Sequence, residues 1–207
     1  MLYAILGRTR LWYMKLNDFI WIKRNELSEE FCQHCIEKFE KDDNRQQGLI
    51  RSGVDLNTKQ STDLKISDLD GWEEEDNIFF KSLTSNIEPY LEDIPYASEV
   101  IQSPKDTGYQ IQRTDPGGFY TWHQDQWSNR RITFIWYLND VTEDGYTEFR
   151  TGYKVQPETG KLLMFPALWP WVHRGFPPKS EVKYICTGWL YSTITDEETK
   201  NLVKEGY

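Results

Sequence analysis

Two histidines and one aspartate in this chain have the residue types and spacing of a metal site. His123 and Asp125 lie two positions apart in "FYTWHQDQW", so both side chains point to the same side of an extended strand. His173, in "WPWVHRGF", is one of only three histidines. Two imidazoles and one carboxylate bind Fe(II) and leave open coordination positions, but Zn²⁺ accepts the same ligands. The pattern predicts a divalent metal site and leaves the metal open.

A lysine near the C-terminal end is predicted to lie inside the fold. Lys183, Ile185 and Thr187 alternate in "EVKYICTGW" and share one face of a predicted strand. If that face lines the interior, the buried ammonium group needs an anionic partner. A carboxylate of a cosubstrate would provide one, and Tyr137 in "FIWYLND" would add a phenolic hydrogen bond.

Three other residues are weaker candidates for contacts with a substrate. Trp127 and Trp169 lie in predicted loops beside the metal ligands, and we expect one of them to line the substrate entrance. Arg113 shares strand parity with Tyr109 and Ile111, so it reaches the site if that face points inward. The alternative is a surface arginine.

The second half of the chain must supply the strands that position these residues. From Tyr109 onward, short β-prone runs alternate with turn sequences such as "DPGG", "DVTEDG" and "QPETG". Regular short strands of this kind are typical of an antiparallel sandwich or barrel. We therefore predict a mainly β fold with supporting helices.

The first half is predicted to contain two helices. Ser28 and the two glutamates after it form a helix start, and that helix should run to about residue 41. A second helix is predicted in "GWEEEDNIFFKSLTSNIEPYLEDI", where apolar residues recur at helical spacing, namely Phe79, Phe80, Leu83, Ile87 and Leu91. Pro89 should bend or shorten its last turn. Between the helices, residues 48–70 should form short strands and turns.

Residues 14–207 are predicted to form a single domain. Helical support is expected over about 14–104, the β core over about 105–192, and a closing helix over about 195–205. Residues 1–13 are interpreted as a possible disordered lead-in.

Cys32 and Cys35 form a C-x-x-C motif around His34, which raises the possibility of zinc. Both cysteines fall on the apolar face of the first predicted helix, and no second cysteine pair completes a zinc set. We interpret them as core residues.

Composition excludes several classes of protein. The 207 residues include 24 basic and 33 acidic side chains, a net charge of −9 that disfavours binding to nucleic acid. No apolar run has the length of about 20 residues that crosses a bilayer, so no membrane partner is expected. An odd number of cysteines and a poor signal sequence favour a cytoplasmic location. The oligomeric state is left open.

Five elements in the second half resemble the 2-oxoglutarate and Fe(II)-dependent dioxygenases, specifically the prolyl 4-hydroxylase-like branch. They occur in that branch's order and at similar spacing over about residues 105–192. The elements are "GGFYTWHQD", "ITFIWYLND", "DGYTEF", "VQPETGKLLMFP", and His173-Arg-Gly followed by Lys183.

This resemblance implies a double-stranded β-helix (jelly-roll) core with a defined set of ligands. His123, Asp125 and His173 would bind Fe(II), and Lys183, assisted by Tyr137, would bind the distal carboxylate of 2-oxoglutarate. The implied activity uses O2, with ascorbate as reductant, to hydroxylate a C–H bond of a peptidyl prolyl or similar residue. A small-molecule substrate and a non-catalytic jelly-roll binding or structural module are the alternatives. Because no recognition loop is identifiable, the substrate does not carry over.

Overall fold

Two antiparallel sheets and three α-helices make up most of the regular structure. The computed structural model describes residues 14–94, 96–127 and 129–192. The helices are α1 (Glu29–Lys41), α2 (Glu73–Asp93) and α3 (Ala97–Val100). The strands are β1 (Trp21–Lys23), β2 (Gln46–Gln47), β3 (Thr62–Lys65), β4 (Pro104–Asp106), β5 (Gln110–Thr114), β6 (Tyr120–His123), β7 (Arg130–Tyr137), β8 (Thr147–Phe149), β9 (Lys154–Val155), β10 (Leu162–Pro166), β11 (His173–Gly175) and β12 (Lys183–Ser192). Single 3-10 turns occur at Leu16–Phe19 and Trp169–Trp171.

The strands form a larger and a smaller sheet. The larger sheet has eight strands in the order β1-β10-β7-β12-β5-β3-β2, with β4 also paired to β12. The smaller sheet has four strands in the order β6-β11-β8-β9. A cavity lined by residues of both sheets lies between them. The predicted mainly β fold with supporting helices is confirmed, and the pairing agrees with a jelly-roll core.

Helix α1 forms where its capping signals predict it. The Ser28 hydroxyl accepts a hydrogen bond from the Phe31 amide at 3.2 Å, and acidic residues occupy the first turn. Cys32 and Cys35 are buried free thiols on the inner face of the helix. His34 between them points away and contacts Glu75 at 2.6 Å. Both side chains are fully buried in an apolar cluster, which supports their interpretation as core residues.

Helix α2 departs from its prediction at two points. Phe79 and Leu83 are buried as expected, but Phe80 is 46% exposed because it lies one residue, or about 100°, around the helix from Phe79. The helix also continues beyond Pro89 to Asp93 instead of ending early. Pro89 removes one backbone donor, and the tertiary contacts of Tyr90 in the core hold the last turn in place.

The β core extends into the first half of the chain, contrary to the predicted boundary near residue 105. Strand β1 pairs with β10, and β3 pairs with β5, so both join the larger sheet. These strands are too short for their alternation to be recognised in the sequence. The predicted helix at 195–205 and the lead-in at 1–13 lie outside the described residues.

The larger sheet separates two apolar clusters. One lies against the helices and contains Phe39, Phe79 and Trp136. The other lies against the smaller sheet and contains Tyr137 and Phe149. Strand β7 serves both clusters because its successive side chains point to opposite faces. No helix in the described part of the chain combines the length and apolar character needed to span a bilayer.

Candidate metal centre

The fold brings His123, Asp125 and His173 together. His123 ends β6 and His173 begins β11, and the two residues face each other directly in the antiparallel pair. Their ring centroids are 4.2 Å apart. Asp125 follows β6 and lies 3.7 Å from Nε2 of His123 and 3.6 Å from Nε2 of His173. One possible ligand atom from each residue lies within 4.8 Å of the others, which no other such group in the described residues achieves.

Hydrogen bonds orient each of these side chains towards a common point. Nδ1 of His123 donates to the carbonyl of Thr121 at 2.8 Å, and Nδ1 of His173 donates to the carbonyl of Trp171 at 3.0 Å. Because a carbonyl oxygen only accepts, both Nδ1 atoms carry the proton and both Nε2 lone pairs face the site. Such outer partners are characteristic of metal-binding histidines.

The carboxylate is held in its ionised form. The hydroxyl of Thr133 donates to Asp125 Oδ2 at 2.6 Å. Burial raises the pKa of Asp125, but the two imidazoles and the Thr133 hydroxyl outweigh burial and leave the pKa below its ordinary value. Burial, with a smaller contribution from His173, lowers the pKa of His123 to about 3, so its imidazole is neutral near pH 7. A neutral imidazole and a carboxylate are the forms that bind a metal.

Lys183 lies in the same cavity and has no anionic partner among the described residues. The cavity between the sheets is lined by the three candidate ligands, by Lys183 and by apolar residues such as Ile135. Lys183 is 4% exposed, and its ammonium group makes no ion pair or hydrogen bond with any described residue. Burial lowers its pKa to about 8. An unpaired buried ammonium fits a cavity that receives a carboxylate, so the donor set and Lys183 together fit Fe(II) with 2-oxoglutarate.

Comparison with known proteins gives the same family as the sequence motifs. Residues 109–191 match the family model described as the 2OG-Fe(II) oxygenase superfamily. This segment is therefore similar to that superfamily. A curated relative, a PKHD-type hydroxylase from Synechococcus sp. (strain CC9902), is 24% identical over 132 residues. The match covers 59% of this chain and 59% of the relative, so the chain matches less than two thirds of that protein.

Solved structures similar to this chain confirm the jelly-roll fold. A viral collagen prolyl hydroxylase from Paramecium Bursaria Chlorella virus-1, solved with 2OG, has a TM-score of 0.62 at 22% identity and covers 84% of this chain and 96% of its own. A prolyl hydroxylase from Trichoplax adhaerens, solved with a hypoxia inducible factor peptide, has a TM-score of 0.69 at 17% identity, with 89% and 87% covered. A Pseudomonas putida prolyl-4-hydroxylase has a TM-score of 0.65 at 15% identity, with 84% and 92% covered.

Tyr137 lies behind the wall of the cavity between the sheets and does not line it. Its hydroxyl donates to Thr147 at 2.7 Å, and its ring centroid lies 5.8 Å from Lys183 Nζ. Thr147 lines the cavity. The phenolic hydroxyl is bonded to Thr147 in this arrangement, and its direct bond to a cosubstrate stays a prediction.

The weaker candidates separate into one near the site and two away from it. Trp127 lines a second opening of about 570 Å³ next to the metal centre, which we call the outer cleft. Trp169 is 71% exposed and lines neither cavity. Arg113 pairs with Asp115 at 2.7 Å and Glu40 at 3.4 Å on the helix side of β5 and lines neither cavity. Its face of β5 packs on the helices.

Sequence reasoning missed three residues that surround the ligands. Thr133 has the strand parity of Ile135 and Tyr137, so alternation along β7 is the signal that identifies it. Tyr120 stacks on His123 with ring centroids 3.5 Å apart. Lys59 lies 5.4 Å from the Tyr120 ring and is bound by Asp63 at 2.6 Å. No sequence pattern indicates Lys59, since it comes from the polar connector between the helices.

Proposed function

We propose that this chain is an Fe(II)- and 2-oxoglutarate-dependent dioxygenase that hydroxylates a C–H bond of a peptidyl prolyl or similar residue. The observation that carries the proposal is the unpaired ammonium of Lys183 in the same cavity as three convergent ligand atoms. A zinc hydrolase uses the same ligands but has no need of a buried cation beside them. A binding module has no need of one either.

Each residue has a distinct part in this function. His123 and His173 present their Nε2 lone pairs, and Asp125 supplies a negative charge fixed by Thr133. Lys183 binds the carboxylate of 2-oxoglutarate that is remote from the metal. Fe(II) and 2-oxoglutarate, when bound, convert O2 and a substrate C–H bond to succinate, CO2 and a hydroxylated product.

The protein also keeps the reaction away from water. Phe149 and Phe165 pack against the His173 ring at centroid distances of 5.8 and 4.8 Å. Together with Ile135 they form the apolar cluster between the sheets. In such surroundings the attraction between Lys183 and a carboxylate is stronger than in water. The apolar wall thus favours cosubstrate binding as well as excluding solvent.

The proposal also concerns the class of substrate, the reductant and the location of the protein. The Trichoplax neighbour binds a peptide, which favours a peptide or protein substrate over a metabolite. Ascorbate would serve as the reductant. A cytoplasmic location agrees with the three free cysteines, since such compartments keep thiols reduced.

Succinate formation tests the proposed function. Protein incubated with Fe(II), 2-oxoglutarate and ascorbate should release succinate slowly even without substrate, and a His173→Ala variant should release none. A circular dichroism spectrum matching that of the parent protein would show that the variant is folded. If the parent protein binds Fe(II) and forms no succinate, the chain is a non-catalytic module.

A further inference from the structure

The outer cleft is continuous with the metal centre. It shares Tyr120, Asp125 and Trp189 with the cavity between the sheets and opens to solvent beside Trp127, which is 53% exposed. Its volume of about 570 Å³ is large enough for a group that approaches the metal from outside. Any substrate that reaches the metal through this opening contacts its walls.

The walls of the outer cleft are positive although the protein is strongly negative. Among the described residues, four cations line it, namely Arg51, Lys59, Lys65 and Arg130. The one carboxylate among these lining residues is Asp125, a candidate metal ligand. The whole chain has a net charge of −9. A cleft with the sign opposite to that of its surroundings attracts and orients anionic ligands.

Most of these cations have no acidic partner in the protein. Lys59 is paired with Asp63 at 2.6 Å. Within the described residues, Arg51, Lys65 and Arg130 make no ion pair, whereas Arg24 and Arg174 elsewhere on the surface are paired with glutamates. The cleft therefore presents three positive charges that are not held in close ion pairs with described residues.

Arg130 is held in place by aromatic rings. Its guanidinium lies 3.5 Å from the ring centroid of Trp189 and 5.3 Å from that of Trp127. The Arg51 guanidinium lies 5.7 Å from the ring centroid of Trp127. Stacking fixes a guanidinium plane and leaves its in-plane N–H groups free, which is the arrangement that binds a carboxylate with two hydrogen bonds.

The distribution of these charges favours an extended ligand. Arg51 comes from the connection between β2 and β3, Lys65 ends β3, and Arg130 begins β7. Because they belong to separate elements, several anionic groups along a chain match them better than one small anion. The amide side chains of Gln110, Gln124 and Gln126 also line the cleft and can pair with peptide groups. Three cations on a protein of net negative charge are few for a phosphate backbone.

We propose that the outer cleft binds an acidic polypeptide segment, with carboxylates flanking the residue to be oxidised and paired with Arg51, Lys65 and Arg130. This inference rests on the proposed function, because it names the substrate class of the same site. Arg51 and Lys65 are specificity-determining residues, since they contact the substrate away from the reacting atoms.

Peptide binding tests the inference without turnover. Three fluorescent peptides with a central proline, identical except for flanking glutamate, glutamine or lysine, are titrated by anisotropy against protein loaded with Mn(II) and 2-oxoglutarate. The glutamate peptide should bind about tenfold more tightly than the glutamine peptide and lose this advantage at high salt. The lysine peptide should bind most weakly, because like charges repel.

Matched variants assign the effect to the cleft. Arg51→Gln and Lys65→Gln should each weaken binding of the glutamate peptide about twofold to fivefold and leave the glutamine peptide unchanged. Lys81→Gln is the control, because it removes the same charge at an exposed position. Lys81 lies on α2, which packs on the other side of the larger sheet. It should have no effect on either peptide.

Three results would overturn the inference. These are equal affinity for the glutamate and glutamine peptides, stronger binding of a single-stranded oligonucleotide, or equally good competition by free glutamate.

Binding of Mn(II) and 2-oxoglutarate is measured by calorimetry on the same protein. If both cofactors bind and the peptides are not discriminated, only the substrate class is wrong. If 2-oxoglutarate does not bind, the proposed function is wrong whichever peptide binds.

Discussion

At the scale of single residues, the metal centre depends on groups that do not themselves touch a metal. Backbone carbonyls select the tautomer of His123 and His173, and the Thr133 hydroxyl orients Asp125. These bonds aim the three ligands at one point. Preorganisation of this kind raises metal affinity, because the ligand side chains lose less conformational freedom when the metal binds.

Thr133→Val should weaken metal binding while leaving the fold intact. Valine keeps the shape of threonine but loses the hydroxyl that donates to Asp125 at 2.6 Å. Loss of an outer-shell partner typically reduces metal affinity about tenfold or more. Mn(II) affinity measured by calorimetry checks this, with Thr133→Ser as the control that retains the hydroxyl. Equal affinity in the valine and serine variants would refute the role given to Thr133.

Lys183 should make the affinity for 2-oxoglutarate depend on pH. Its pKa is lowered to about 8 by burial, and a bound carboxylate favours the charged form. In the protein without 2-oxoglutarate, Lys183 loses its positive charge as the pH rises through about 8. The affinity for 2-oxoglutarate should therefore fall about tenfold between about pH 7 and 9. Titration of the Mn(II)-loaded protein measures this fall. Lys183→Met should bind 2-oxoglutarate more weakly, and its affinity should not change with pH. If its affinity falls with pH as that of the parent protein does, Lys183 is not the group responsible.

At the scale of elements, strand alternation explains how one sheet serves two purposes. In β12, Lys183 and Thr187 face the cavity, while Cys186 faces the helices in the apolar core. In β7, Thr133 and Ile135 face the cavity, while Trp136 faces the helices. The helices bury the outer face of the larger sheet, so they stabilise the strands that present the site.

Ser28→Ala should destabilise the protein without changing the metal centre. The Ser28 hydroxyl caps α1 by accepting from the Phe31 amide, and loss of such a cap costs about 1 kcal/mol of unfolding free energy. Urea denaturation of the two proteins measures the difference, and Mn(II) affinity should be the same in both. Ser28→Asp is the control, because it retains an acceptor oxygen and should stay near the parent value. A loss of stability as large in the aspartate variant would contradict the capping explanation.

At the scale of the whole molecule, the site joins parts of the chain that are far apart. His123 and His173 belong to the smaller sheet and Asp125 follows its strand β6, whereas Lys183 and Thr133 belong to the larger sheet. A ligand that binds residues of both sheets binds only the folded state, so it stabilises the whole protein by mass action. Ligand binding and global stability are therefore linked.

Saturation with Mn(II) and 2-oxoglutarate should raise the melting temperature. At a free ligand concentration of about one hundred times Kd, the added stability is about 2.7 kcal/mol. For a chain of this size that corresponds to an increase in Tm of about 5 to 10 °C. Differential scanning calorimetry measures the increase, and Asp125→Ala is the control that should respond little to Mn(II). A full response in that variant would mean that the metal binds elsewhere.

The sequence by itself determined the types of the ligands, the first helix and the mainly β character of the second half. These features depend on local chemistry and period, such as the Ser28 cap and the alternation around Lys183, which a single stretch of chain contains. The motif order around His123 and His173 also indicated the family.

Only the tertiary structure decided which faces point inward and which distant segments meet. Arg113 lies on the helix side of β5, Tyr137 satisfies its hydroxyl with Thr147, and Lys59 reaches the site from a polar connector. Alternation shows that two faces of a strand differ, but the elements packed on each face determine which one is the interior. The positive walls of the outer cleft arise for the same reason, because Arg51, Lys65 and Arg130 converge only when separate elements pack together.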